Sequence, residues 1–274
     1  MLPSFPAPPP PHPPIILTTD FGIADAYVGV MKGVIHGINP RAPVIDLTHQ
    51  APPQDLRRAA FFLAASYTFF PEGAIHVVVV DPGVGTARRP MAARLGDQVV
   101  VGPDNGLVTL ALERAEAQGQ AVEFFHLNRP AYWLPEVSHV FHGRDIFSPV
   151  AAHLAAGAAL EDLGEPFHNP VRMRLPQPAR TGAGWQGEIV HIDHFGNLST
   201  NIRQEHLGWP PRMKLRVCGV EIDGMVHTFG ERPPGALVAL YGSTGNLIVS
   251  VVNGSAAGRL QARTGDGCEV IIEE

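Results

Sequence analysis

The sequence predicts two domains: an α/β domain with a Rossmann-like, mostly parallel sheet, followed by a small antiparallel β-barrel domain. In the first two-thirds of the chain, short apolar runs alternate with apolar residues at helical spacing, which is typical of a parallel sheet covered by helices. After residue 184, short strand patterns follow one another with turns between them, which favours a small sandwich or barrel. A chain of 274 residues is long enough for two hydrophobic cores.

The composition of the chain sets the predicted boundaries. Residues 1–14, MLPSFPAPPPPHPP, are expected to form a disordered, polyproline-like tail, since they lack the basic start and apolar centre of a secretory signal. We assign residues 15–172 to the α/β domain, residues 173–184 to a linker with several prolines and glycines, and residues 185–274 to the β-barrel domain.

The first predicted strand, Ile15–Thr19, ends at Asp20 and is followed by a helix. One face of this helix is apolar and contains Tyr27, Met31, Val34, Ile35 and Ile38. Another face contains Gly29, Gly33 and Gly37. We expect this glycine face to let the helix pack close to a sheet, at some cost in helix propensity.

The remaining elements of the first domain follow in the same way. Further strands are predicted at Val44–Leu47, His76–Val80 and Gln98–Gly102. Helices are predicted from Asp55 to Tyr67 and from about Ile146 to Ala156, with Gly157 as the stop of the second helix. In the second domain the predicted strands are Gly187–Asp193, Lys214–Asp223, Leu237–Tyr241, Leu247–Val252 and Cys268–Glu273.

Composition excludes several classes of partner. The 20 basic and 26 acidic residues give a net charge of −6 without a basic stripe, which argues against nucleic acid as a partner. No apolar run has the length of a membrane-spanning helix, so we expect no membrane association. Cys218 and Cys268 fit neither a metal motif nor a disulfide framework, and a reducing cytoplasm is the expected location.

Polar residues gather where the predicted parallel strands end, which is where open α/β sheets bind ligands. The first strand leads to Asp20, the third to Asp81 and the loop DPGVGTARR, and the fourth to the loop PDNG. The motif FHGRD precedes the later helix. Each motif alone is also an ordinary turn or helix cap, but four such loops on one sheet edge predict a site.

These residues by themselves leave three functions open. The first is a metal-dependent hydrolase with a carboxylate–imidazole cluster drawn from Asp20, Asp81, Asp104, His142, His191 and Asp193. The second is a nucleotide-binding module without catalysis, in which the Gly83–Gly85 loop and Arg88 hold phosphate. The third is a metal-free hydrolase or transferase in which Asp, Arg and His handle water.

Seven segments together resemble the S-adenosylmethionine (SAM) hydroxide adenosyltransferases, in the superfamily that also contains the fluorinases and chlorinases. The segments are LTTDFGIADAYVGVMKGVI, VIDLTHQAPPQD, HVVVVDPGVGTARRP, VGPDNGL, FHGRDIFSPVAAHLA, HIDHFGNLSTNI and GSTGNLIVSVVNGSAA. They occur in the family's order from about Ile15 to the C-terminus. The resemblance implies an α/β domain followed by a β-barrel domain, and hydrolysis of SAM to adenosine and methionine without a metal or cofactor.

The resemblance also implies site residues. The family's water-activating set corresponds to Asp81, Arg88 and His142, with Arg89 as a surface ion-pair partner. The implied substrate-binding residues are Asp20 for the ribose diol, Asp193 for the methionine amine, Asn197 for adenine and Ser243 for the methionine carboxylate. Phe229 is either an adenine-stacking residue or an ordinary core phenylalanine. His36, His49, His126 and His153 receive no role.

Two further implications concern the nucleophile and the assembly. The halogenating members carry Tyr in place of Asp81, lack the counterpart of His142 and have an additional loop that this sequence lacks. A carboxylate at Asp81 would repel a halide, so water is the expected nucleophile. The family's homotrimers, with sites between the first domain of one subunit and the second domain of its neighbour, imply the same assembly here.

Overall fold

The computed structural model describes residues 12–273. Most of the predicted disordered tail, residues 1–14, therefore lies outside the described residues. The chain divides into two compact units, one ending at Met173 and the other beginning at Arg174. Within the described part of the chain, no helix has the length and apolar character needed to cross a membrane.

The first unit contains a seven-stranded sheet in the order β2-β1-β3-β5-β4-β6-β7. Its strands are β1 Ile15–Thr19, β2 Val44–Thr48, β3 Ile75–Val79, β4 Pro90–Leu95, β5 Gln98–Pro103, β6 Val122–His126 and β7 Glu165–Phe167. Strands β2, β1, β3 and β5 pair in parallel, whereas β4 is antiparallel to both β5 and β6, and β7 is antiparallel to β6. Only β4 and β7 thus run against the common direction, which confirms the mostly parallel sheet.

Helices cover both faces of this sheet. They are α1 Tyr27–Ile38, α2 Leu56–Ser66, α3 Thr109–Ala117, α4 Ser148–Ala155 and α5 Leu160–Leu163. Alternate residues of β3 enter different cores: Val77 and Val79 pack in the core with α1 and α4, while Val78 packs in the core with α2 and α3. A strand buried on both faces needs apolar residues at consecutive positions, which explains the valine run in the sequence.

The expected close packing of the glycine face of α1 is wrong. Gly29, Gly33 and Gly37 are exposed, and a Cβ atom at each position would meet nothing within 4 Å. The helix instead buries Val28 and Met31, together with Ile35, against the first core. The apolar stripe therefore decides which face of α1 packs, as expected for an amphipathic helix.

The second unit is an antiparallel, nearly closed, barrel-like sheet, which confirms the predicted fold class. Its strands are β8 Ala179–Arg180, β9 Gly184–Ile192, β10 Leu198–Arg203, β11 Met213–Val217, β12 Val220–Asp223, β13 Leu237–Tyr241, β14 Asn246–Val251 and β15 Gly267–Ile272. The order is β12-β11-β15-β9-β10-β14-β13, with β8 on β9. Its two helices are short: α6 Gln204–Leu207 and α7 Ala256–Leu260. The amide of Val226, just after β12, donates to the carbonyl of Ala239 in β13 at 2.9 Å and nearly closes the barrel.

Candidate active site

A cleft of about 420 Å³ lies at the carboxyl ends of the parallel strands of the first unit. Three of the four predicted loops line it, through Asp20 after β1, Asp81 after β3 and His142 before α4. The loop after β2 adds Pro53 and Gln54. The PDNG loop after β5 was also expected here, but it is absent from the lining of this cleft. The parallel strands thus place residues far apart in sequence around one cavity.

Asp81, Arg88 and His142 are in direct contact. The Nε of Arg88 donates to both carboxylate oxygens of Asp81, at 2.9 and 3.1 Å, and Nη2 donates to Oδ2 as well. The same Nη2 lies 3.0 Å from Nδ1 of His142. The side chains of Asp81 and Arg88 are almost fully buried, with 5% and 9% exposed. In such a setting a bidentate, charge-assisted pair fixes the orientation of both groups.

Burial and the contact with Arg88 together determine the state of the His142 ring. Burial, together with the positive charge of Arg88, lowers the pKa of His142 below its ordinary value, although Asp81 and Asp145 act in the opposite direction. The ring is therefore neutral at pH 7. Because guanidinium nitrogen only donates, Nδ1 must accept, and the single ring proton is on Nε2.

Arg88 is distinguished from its neighbour by the partners of each side chain. Arg89 donates from Nε to Asp104 at 2.9 Å, and to the side chain and carbonyl of Asn169 at 2.9 and 2.7 Å. Its guanidinium also stacks on Phe167. Arg89 therefore joins β4 to the segment after β7, while Arg88 alone contacts the cleft residues.

A five-residue π-helix, Gly143–Phe147, precedes α4 and places His142 at its N-terminal end. The fully buried carboxylate of Asp145 accepts from the backbone amide of Ser138 at 2.9 Å and from Nε of Arg144 at 2.5 Å. Burial raises the pKa of Asp145, but these hydrogen bonds outweigh it and hold the pKa below its ordinary value. The ionised Asp145 thus ties the loop before His142 to the helix.

Asp20 follows β1 and lines the cleft. Its Oδ2 accepts a hydrogen bond from the backbone amide of Gln54 at 2.8 Å. Gln54 has a φ of 64°, in the left-handed region that residues other than glycine rarely adopt. This conformation directs the amide of the loop after β2 to the carboxylate of Asp20.

Two of the predicted substrate-binding residues of the second unit are in contact with each other. Asp193 follows β9 and accepts from both the backbone amide and the side-chain amide of Asn197, at 2.8 and 2.7 Å. Gly196, with a φ of 82°, closes this turn, and a Cβ there would lie 2.0 Å from Oγ of Ser255. The glycine of the HFGN motif is thus required for the turn that joins Asp193 to Asn197.

Ser243 and Phe229 lie on other loops of the second unit. Ser243 is exposed in the turn between β13 and β14, where the amide of Gly245 donates to the carbonyl of Gly242. Phe229 begins a short 3₁₀ turn and is 42% exposed, so its interpretation as an ordinary core residue is wrong. A stacking role for Phe229 stays a prediction.

The carboxylate–imidazole cluster considered for a metal does not form among residues 12–273, where no group of three or more His, Cys, Asp or Glu side chains could hold a metal ion. Asp104 is instead buried, and it accepts from Arg89 and from the amide of Val171. Both cysteines are free thiols, and burial raises the pKa of Cys268 to about 12.

Sequence reasoning missed three residues that shape the site. Gln54 fixes Asp20 through its backbone, Asp145 fixes the loop before His142, and Gly85 lets two loops meet. Gly85 has a φ of 75°, and a Cβ there would lie 2.1 Å from the carbonyl oxygen of His139. All three lie in the quoted motifs, Gly85 in DPGVG, Asp145 in FHGRD and Gln54 in VIDLTHQAPPQD, but their contacts with other loops were not visible in the sequence.

Comparison with known proteins identifies the family. The family profile of the SAM hydroxide adenosyltransferase N-terminal domain matches residues 15–164, and that of the C-terminal domain matches residues 187–269. This chain belongs to the SAM hydroxide adenosyltransferase family. A relative in Salinispora tropica, named (R)-S-adenosyl-L-methionine hydrolase, is 44% identical over 262 residues, which cover 95% of this chain and 98% of the relative.

Other members of the superfamily are more distant. A fluorinase of an Actinoplanes species is 28% identical over 241 residues, covering 76% of this chain and 80% of the fluorinase. Among solved structures, an uncharacterized conserved protein from Thermotoga maritima superimposes with a TM-score of 0.86 at 34% identity, over 94% of this chain and all of that chain. Sequence and fold thus agree on the family.

Proposed function

We propose that this SAM hydroxide adenosyltransferase family member hydrolyses SAM to adenosine and L-methionine. The observation that carries the proposal is the contact among Asp81, Arg88 and His142 beside the cleft that Asp20 lines. The name of the Salinispora tropica relative supports the same substrate and reaction. The cleft has the size of a small-molecule site.

In the proposed reaction, a water oxygen forms a bond to C5′ of the ribose while the C5′–S bond breaks. The bonding electron pair moves to the sulfonium sulfur, so methionine leaves as a neutral thioether, and the water gives up one proton, which passes through the Asp81 carboxylate to solvent. Free water has a pKa of about 15.7, which makes the nucleophile the difficult partner. A cation next to this water would favour hydroxide.

Arg88 is the cation that we propose for this task. Asp81 and His142 occupy Nε and Nη2, and Nη1 is buried without a partner among residues 12–273. An unpaired buried donor is costly, and we propose that the attacking water, bound between Arg88 and the cleft residues Asp81 and His142, satisfies it. Asp81 fixes the guanidinium, and the neutral His142 ring aims its Nε2–H group, so that both orient the water; such assistance is typically worth ~10²–10⁴-fold.

We assign substrate contacts as the family resemblance implies them. Asp20 binds the ribose diol, Asp193 the methionine amine, Asn197 the adenine and Ser243 the methionine carboxylate. The exposure of Phe229 is compatible with stacking on adenine. We further propose a homotrimer whose sites combine the first domain of one subunit with the second domain of its neighbour.

The direct test is product analysis in oxygen-18 water with chelator-treated protein. We expect adenosine labelled at its 5′-hydroxyl, unlabelled methionine, and the same rate with and without EDTA. Loss of the rate on chelation would favour the metal-dependent hydrolase instead. Tight binding of SAM without products would favour a binding module.

A further inference from the structure

A chain of four polar side chains lies beneath the loop that carries Asp20. Nζ of Lys32, on α1, donates to Oδ2 of Asp46, in β2, at 2.6 Å. Oδ1 of Asp46 lies 2.9 Å from Nε2 of His49, and Nδ1 of His49 lies 3.0 Å from Oγ1 of Thr19, the last residue of β1. We call these four residues the brace.

The brace runs from a partly exposed ion pair at one end to buried side chains at the other. Lys32 and Asp46 are partly exposed, while His49 is 5% and Thr19 0% exposed. Burial raises the pKa of Asp46, but the contacts with Lys32 and His49 outweigh it, so this carboxylate is ionised at neutral pH. Oδ1 of Asp46 faces Nε2 of His49, and the opposite ring nitrogen, Nδ1, is in contact with the hydroxyl of Thr19.

This order resembles a Thr–His–Asp nucleophile triad, but the burial of Thr19 excludes that role. A hydroxyl without exposed surface cannot reach a substrate carbon, and Thr19 is absent from the cleft lining. The oxygen of Thr19 instead accepts a hydrogen bond from the amide of Phe21 at 3.2 Å. It thus closes a turn around the residue between them, Asp20.

The backbone of the loop after β2 reinforces the same turn. The amide of Gly22 donates to the carbonyl of His49 at 2.8 Å, and the amide of Ala51 donates to the carbonyl of Thr19 at 3.4 Å. The amide of Gln54 then reaches the carboxylate of Asp20 itself. The left-handed backbone of Gln54 is a strained conformation of the kind that persists only where surrounding contacts hold it.

We propose that Thr19 and His49 are positioning residues, which hold the Asp20 carboxylate in the geometry that binds the ribose diol. This inference rests on the proposed function, since the diol belongs to the adenosine half of SAM. Asp20 projects from a loop between a strand and a helix, and a loop needs such contacts to keep a carboxylate in place. The brace acts through Asp20 and touches no substrate.

The test compares two ligands that differ only in the diol. Binding of adenosine and of 2′,3′-dideoxyadenosine is measured calorimetrically for wild type, Thr19→Val and Thr19→Ser. Thr19→Val removes the hydroxyl at nearly constant volume, and Thr19→Ser retains it. We expect Thr19→Val to weaken the binding of adenosine roughly 3- to 10-fold, which is the loss expected for about one hydrogen bond. The affinity for dideoxyadenosine should not change. Thr19→Ser should bind both ligands as wild type does.

Asp46→Asn is a second variant for the case in which Thr19→Val does not fold. Asp46 is partly exposed, so its substitution should be tolerated. It should weaken adenosine selectively too. Glu123→Gln, which removes a surface ion pair with Arg94 on the far edge of the sheet, is the control and should change neither affinity. In an Asp20→Ala background the effects of Thr19→Val and Asp46→Asn should vanish, since the residue they position is gone.

If Thr19→Val and Asp46→Asn weakened the binding of both ligands equally, the brace would only stabilise the fold. That result would overturn the proposal. The same holds if these effects persist in the Asp20→Ala background. Failure of the proposed function would look different: wild-type protein would not convert SAM, or would bind both nucleosides equally. That result removes the diol role of Asp20, and the positioning role with it.

Discussion

Arg88 and Arg89 are neighbours in sequence, but their side chains have different partners. Arg88 contacts Asp81 and His142, and Arg89 contacts Asp104 and Asn169. Consecutive residues of an extended segment point in opposite directions, so one arginine reaches the cleft loops while the other holds the segment after β7. This contrast offers a matched pair of variants.

We predict that Arg88→Ala lowers kcat by ~10²–10⁴-fold and leaves the affinity for adenosine nearly unchanged, because Arg88 acts on water. Arg89→Ala should keep kcat near wild type, although it loses its hydrogen bonds and becomes less stable. Initial rates and calorimetric binding measure both quantities. A rise in KM alone for Arg88→Ala would contradict the role of Arg88 in activating water.

His76 lies outside the site, and its burial makes the stability of the folded chain depend on pH. It is fully buried in β3, lies 3.2 Å from Gln98 through Nε2, and burial lowers its pKa to about 4, with the Gln98 contact acting against this. The ring is therefore neutral in the folded chain at pH 7. Protonation favours the unfolded chain, where the pKa is about 6.5.

The sign of the pH dependence follows from this pKa. The stability that depends on neutral His76 is complete above about pH 6.5 and is lost as the pH falls towards 4, by roughly 3 kcal/mol in total. His76→Gln cannot titrate, and its amide can still contact Gln98. Urea unfolding at pH 7.5 and 4.5 should show a smaller loss for His76→Gln than for wild type; equal losses would contradict the prediction.

At the scale of elements, the site depends on how two loops meet. The loop after β3 carries Asp81 and Arg88, and the loop before the π-helix carries His142. Their backbones come close at Gly85, where an added Cβ would lie 2.1 Å from the carbonyl oxygen of His139. A side chain at Gly85 would separate the loops and lengthen the contact between Arg88 and His142.

We predict that Gly85→Ala lowers kcat by roughly 100-fold, the scale of effect for a displacement of about 1 Å in a catalytic geometry. Gly119→Ala is the control, because Gly119 has a similar φ of 65° but would place its Cβ in open space. Both variants incur backbone strain, of order 1 kcal/mol, while only Gly85→Ala separates the loops. If both lower kcat equally in steady-state assays, the contact is not responsible.

At the scale of the whole molecule, the proposed site residues divide between the two units. Asp20, Asp81, Arg88 and His142 belong to the first unit, and Asp193, Asn197, Ser243 and Phe229 belong to the second. A site that needs both sets is complemented between subunits if neighbours in a closed ring share it. The proposed homotrimer therefore makes a quantitative prediction.

Asp20→Ala and Asp193→Ala proteins, each inactive alone, should regain activity when they are unfolded together in equal amounts and refolded. Random mixing in a head-to-tail ring leaves roughly a quarter of the junctions with both halves intact. The measurement is the SAM hydrolysis rate per subunit, compared with refolded wild type. Inactivity in mixed trimers verified by mass spectrometry would exclude shared sites and leave the proposed chemistry unaffected.

The sequence by itself determined the fold class, the family and the motifs that meet at the cleft. The four strands that pair in parallel and helices α1, α2 and α4 were visible; β3, for example, needs a long apolar run because it is buried on two faces. Strands β4, β6 and β7 and helix α3 of the first unit were missed, and so were strands β8 and β10 of the second unit. In β6, for example, Phe124 and Phe125 are buried on opposite faces next to polar residues at the strand ends, so neither strict alternation nor a long apolar run marks the strand.

Only the tertiary structure decided which residues touch. It showed that Arg88 and Arg89 have different partners and that Asp104 pairs with Arg89 away from the candidate metal ligands. It also showed that the glycine face of α1 is exposed and that His49 contacts Thr19, 30 residues away in sequence. Local pattern determines how a segment folds, because propensity and apolar spacing act over a few residues. Contacts between loops depend on where distant strands end, and that information exists only once the sheet has assembled.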